Sequence, residues 1–95
     1  MDKVHIVCLE QNHNTGAWGD CSWSSFRVLA VFHEESKARA FIETNAKATD
    51  YYGERVECEF KWAENSYVGM VPNSDKYPNE DFEEFVYSIV SKDVM

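Results

Sequence analysis

The sequence predicts an α+β fold: one domain, an antiparallel sheet of about four strands and two helices, in the order ββαββα. Three observations predict it. Two apolar, β-branched runs stand near the N-terminus, residues 55–63 alternate strictly between apolar and charged, and two segments carry apolar residues at helical spacing.

Residues 3–10, Lys-Val-His-Ile-Val-Cys-Leu-Glu, read as a strand apolar on both faces and therefore central in its sheet. Residues 11–22 read as a loop, because Asn12, Asn14, Gly16, Gly19 and Asp20 are turn formers. Residues 23–33 form the second strand, antiparallel to the first. A helix begins near Glu34, where Glu34 and Glu35 suit the positive end of its dipole. Ala38, Phe41, Ile42 and Ala46 make one apolar stripe, and the helix should end between Lys47 and Asp50.

Along 55–63, Val56, Cys58, Phe60 and Trp62 point one way and Arg55, Glu57, Glu59 and Lys61 the other, as in a half-buried strand. A turn at Asn65-Ser66 leads into a short fourth strand, Tyr67 to Val71, weakened by Gly69. Residues 72–79 read as a loop. Asn79 then caps a second helix: Phe82, Phe85, Val86, Ile89 and Val90 fall at i, i+3, i+4, i+7 and i+8. Tyr87, Ile89 and Val90 also suit a strand.

A chain of 95 residues fits one domain. With 44% hydrophobic and 15% aromatic residues, it can build a core, unlike a disordered acidic tail. Seventeen acids against nine bases leave a net charge of −8. Residues 64–95 alone carry seven acids and two bases. Such a balance argues against direct nucleic-acid binding and against an anionic membrane surface, both of which need clustered Lys or Arg. A basic protein surface would be attracted. The three cysteines, Cys8, Cys21 and Cys58, are odd in number and irregularly spaced, which suits a reducing cytoplasm. The start of the chain lacks the pattern of a secretory signal, and no run approaches the about 18 apolar residues of a membrane span.

No catalytic or cofactor motif stands out. His5, Cys8, His13, Cys21, His33 and Cys58 are metal-ligand types without zinc-site spacing. His5 and His33 can face each other across the first two strands, as an ordinary pair at a sheet edge. Cys21 lies beside Asp20, whose charge opposes a reactive thiolate. Glu57 and Glu59 share a strand face with Arg55 and Lys61, which reads as a salt-paired surface rather than an acid–base pair. The four glycines are scattered, and Gly16 and Gly19 precede a strand, so no phosphate cradle forms. No cofactor is expected.

Two features point to a protein partner. Trp18 and Trp23 bracket the first loop, and tryptophan is enriched at interface hot spots. Glu64, Asp75, Glu80, Asp81, Glu83 and Glu84 make the C-terminal third acidic, either as a solvated helix face or as a docking face for a basic protein.

The segment Val31-Phe32-His33-Glu34-Glu35-Ser36-Lys37-Ala38-Arg39-Ala40-Phe41-Ile42-Glu43 resembles the strand-to-helix step of small phage-encoded accessory proteins. The likeness spans about residues 3–62 and is one of pattern. The better understood of those proteins bind and inhibit a host protein, so the resemblance implies a non-enzymatic inhibitor in the host cytoplasm. A second reading is a small enzyme or ligand-binding domain using Cys21, His13, His5 or His33 between sheet and helices. A third is a structural subunit that dimerises through an exposed sheet edge.

Overall fold

The computed structural model describes residues 3–15, 23–49, 53–72 and 81–94. Its elements are strand β1 (Lys3–Thr15), β2 (Trp23–Phe32), helix α1 (Glu35–Asn45), β3 (Ala48–Thr49), β4 (Arg55–Val56), β5 (Lys61–Ala63), β6 (Ser66–Pro72) and β7 (Asp81–Asp93). Five strands form one antiparallel sheet in the order β2-β1-β7-β6-β5, while β3 and β4 pair separately. The expected ββαββα order with two helices is therefore corrected: the described residues hold one helix and seven strands.

The largest departure is β7. Residues 81–93 carry helical spacing, yet they form a strand bonded to β1 on one side and β6 on the other. Phe85, Tyr87 and Ile89 point to the helix side and are buried, while Phe82, Val86 and Val90 point to the other face. A segment apolar on both parities also fits a central strand, and its aromatic and β-branched residues favour that state. Pairing to two neighbours satisfies backbone groups along its length, which an isolated helix leaves to its own turns.

β1 runs to Thr15, five residues beyond its expected end, and lies between β2 and β7 as its two-faced pattern implied. Its antiparallel pairing with β2 matches expectation, with one irregularity between Val7 and Cys8. The alternating run at 55–63 is not one strand. Arg55–Val56 pairs with β3, 57–60 has no strand pairing, and Lys61–Ala63 pairs with β6. The β5–β6 turn falls on Glu64-Asn65, one residue earlier than expected, with Glu64 at φ 58 in the left-handed region.

α1 starts close to its expected place. Glu34 is extended at the N-cap without a side-chain cap, and Glu35 occupies the first turn. At the other end Ala46 N–H donates to Ile42 O (2.8 Å), and Asn45 Nδ2 donates to Phe41 O (2.8 Å). Ala38 and Ile42 are fully buried, and Phe41 packs on Phe32 with ring centroids 5.4 Å apart. These residues cover Val7, Leu9, Tyr87 and Ile89 to form the core.

A second layer covers the rest of that face. Phe60 stacks on Tyr67 (5.3 Å) and meets Tyr87 edge-on (5.9 Å), and Arg39 lies 4.4 Å over the Trp62 ring. Gly69 lets the chain pass under this layer. A Cβ there would lie 2.7 Å from Phe60 Cε1 and 2.8 Å from Cys58 Sγ. Gly69→Ala is therefore expected to destabilise by about 1–3 kcal/mol through overpacking, read as a lower urea midpoint with unchanged slope. An unchanged midpoint would show that Phe60 does not pack on Gly69.

Candidate functional site

One face of the sheet is covered by α1 and the 57–60 segment; among the described residues, no helix or strand lies on the other. Strand alternation directs Ile6 and Cys8 of β1, Val86 and Val90 of β7, and Val68 and Met70 of β6 to that open face. On β2 the register irregularity matters. Ile6 pairs with Val31 and Cys8 with Val28, so the extra residue returns Val28 and Val31 to one face despite their odd spacing. Phe26 joins them opposite Glu10.

Phe26 is 64% exposed, Val28 and Val31 57%, Met70 45% and Val90 41%. Cross-strand rows link these residues: Val31–Ile6–Val90 in one, and Phe26–Glu10–Val86–Val68–Lys61 in another, with Glu10 and Lys61 breaking the apolar run. Large apolar side chains exposed together on one sheet face mark an interaction surface more often than singly scattered ones do. The face is electrically balanced. Among the described residues its charged side chains are Glu10, Glu84, Lys61 and Lys92, two of each sign, although the chain as a whole carries −8.

The acidic residues expected to share a helix face are dispersed by the strand. Glu83 is buried on the helix side and Glu84 lies on the open face, where it accepts from Asn12 Nδ2 (2.9 Å). Glu64 sits at the β5–β6 turn, its carbonyl accepting from Arg39 (3.2 Å). Trp18, Cys21, Asp75 and Glu80 lie outside the described residues, as do the side chains of Trp23 and Asp81; the Trp23 backbone pairs with His13 at the end of β2.

The histidines do not converge. His5 is hydrogen-bonded through Nδ1 to Ser91 Oγ (2.7 Å), and His33 is exposed between β2 and α1. His13 Nδ1 is hydrogen-bonded to Glu83 Oε1, with side chains 6% and 4% exposed. This pair joins the ends of β1 and β7. Such a histidine–carboxylate contact also orients catalytic imidazoles, but here little of either group reaches solvent.

Cys8 is buried, and burial pushes its thiol up from the ordinary range. Cys58 is pushed up by desolvation, opposed by its hydrogen bond to the Met70 carbonyl (3.5 Å) and reinforced by Glu59. Raised thiols stay protonated at neutral pH and act here as small apolar groups. Among the described residues no group of three or more His, Cys, Asp or Glu is placed to hold a metal.

Glu57 and Glu59 are both exposed, and Glu59 pairs with Lys61 at 3.8 Å, as a solvated surface would. They border an open groove of about 800 Å3 beside the β3–β4 hairpin, with residues of both charge signs. None of the histidines lines it. No described helix is long and apolar enough to cross a membrane. Comparison with protein-family models, with curated proteins and with solved structures found no match for this chain.

Sequence reasoning located the tryptophans and acids but missed the open face. Ile6 and Cys8 sit in a run that read as a central strand, and Val28 with Val31 read as opposite-facing until the β2 irregularity is seen.

Proposed function

We propose that this protein is a non-enzymatic protein-binding module whose working surface is the open face of the sheet. The observation that carries this reading is the exposure of Phe26, Val28, Val31, Val90 and Met70 together on one side of a sheet packed on the other. Water is displaced from such a face most simply by another apolar protein surface. Most of the described carboxylates lie away from it, so they can draw a basic partner over distance without being desolvated at the contact.

A second reading, that the chain is a subunit paired with its own copy, is favoured by the charge pattern of the same face. Glu84 and Lys92 lie four residues to either side of Ser88 on β7. A two-fold axis crossing the strands at Ser88 sets Glu84 of one copy over Lys92 of the other, in an aligned sandwich. With the described charges of the face summing to zero, two copies meet where their like-charge repulsion is least. Four strands at about 4.8 Å spacing and about eight residues of rise give a footprint of roughly 500 Å2, the order of what one partner brings to a small specific interface.

Sedimentation velocity over a range of concentrations tests both readings. Wild type is expected to self-associate, Val28→Glu to sediment as a monomer with an unchanged far-UV spectrum, and Glu84→Lys to weaken association that Lys92→Glu then restores. A wild type that stays monomeric throughout removes the subunit reading. If Val28→Glu changes neither association nor the binding of an apolar dye, the open face is not the docking surface.

A further inference from the structure

A chain with 17 acids and 9 bases gathers three of those bases, Arg27, Lys47 and Arg55, around one cleft of about 330 Å3 whose described lining holds no acid, although Lys47 and Arg55 also border the groove lined by Glu57 and Glu59. The cleft lies on the helix side, away from the open face. Arg27, Leu9 and Tyr87 are successive partners across β2, β1 and β7 and form its floor. Lys47 is held at the rim. Its N–H donates to Tyr87 Oη, and Tyr87 Oη lies equally 3.2 Å from the Lys47 carbonyl, which ties the segment after α1 to the sheet. Arg55 arrives from β4, opposite Thr49.

The other described bases are mostly neutralised: Lys3 by Asp93, Lys37 by Glu34, Arg39 by Glu35 and Lys61 by Glu59. The three cleft cations have no carboxylate partner among the described residues. The cleft therefore offers an anion three positive charges that no described carboxylate pairs.

We propose that this cleft binds a small oxyanion-bearing ligand of two or three negative charges, its phosphate or carboxylate oxygens held by Arg27, Arg55 and Lys47. Two guanidinium forks match paired oxygens bidentately, and lysine adds a mobile point charge. The volume is at the lower end for small-molecule sites, and Leu9 and Leu29 leave an apolar wall for a short carbon skeleton. The site is independent of the sheet-face reading, since none of its residues belongs to that face.

The test is calorimetric titration of the full chain with inorganic pyrophosphate and, separately, citrate, at constant ionic strength set with sodium chloride. Saturable one-site binding of either probe is expected. Preference for pyrophosphate assigns the phosphate class, and preference for citrate the carboxylate class. Arg27→Gln and Arg55→Gln should each weaken binding about tenfold, the loss of one charge-assisted contact. Lys37→Gln, which lies outside the cleft, should leave it unchanged. Should a glutamine variant unfold, amide shifts of wild type on adding pyrophosphate replace it: changes clustered at Leu9, Arg27, Leu29 and Arg55 support the site. No saturable binding in the low millimolar range, equal weakening by Lys37→Gln, or shifts scattered away from those residues overturns the proposal.

Discussion

Ile42→Ala should lower stability by about 3 kcal/mol and the melting temperature by roughly 15 °C. Ile42 is fully buried and belongs to the same core as Val7, Leu9, Tyr87 and Ile89. Truncation removes its transfer free energy and leaves a cavity that the sheet, pinned by ladder hydrogen bonds, closes only in part. A domain of 95 residues has a total stability near the lower end of about 5–15 kcal/mol, so this single change should populate unfolded chain at moderate temperature. Ile42→Val provides the scale, at about 1 kcal/mol. Urea denaturation followed by tryptophan fluorescence measures both. A cost under about 1 kcal/mol for the alanine variant would mean that α1 does not seal the sheet.

The second large effect is expected at His13. His13→Ala should cost about 2–4 kcal/mol, because it strips a hydrogen-bond partner from a carboxylate that stays buried. Glu83→Gln keeps the shape, removes the charge and should cost less. In the Glu83→Gln background, His13→Ala should lose a large part of its effect, a coupling within about 0.5–3 kcal/mol. Strictly additive losses would show that the two residues act separately. The contact matters for architecture because it closes the far end of the β1–β7 ladder, the longest pairing in the sheet.

How far the sequence could be read depended on the range of the interaction that decides each element. The β1–β2 pairing and the start of α1 were legible, since apolar runs and a stripe at 38, 41 and 42 are local signals. The 55–63 run misled, because perfect alternation describes side-chain direction and not the presence of a partner. At 57–60 the backbone leaves the ladder so that Phe60 can stack over Tyr67 and stand edge-on to Tyr87. The cleft cations were invisible for a related reason. Arg27 sits on β2, Arg55 on β4 and Lys47 in the link between α1 and β3, each among ordinary neighbours in sequence.

By itself the sequence determined an acidic chain with enough aromatic surface for a core, its first two strands, and the helix that follows them. The tertiary structure alone decided that residues 81–93 are the middle strand of the sheet and that one apolar face is left open. The reason is that periodicity within a segment measures only where its own side chains lie. The choice between helix and strand for a segment whose apolar residues fit both a helical stripe and the two faces of a strand is made by hydrogen bonds to β1 and β6, which lie far away along the chain.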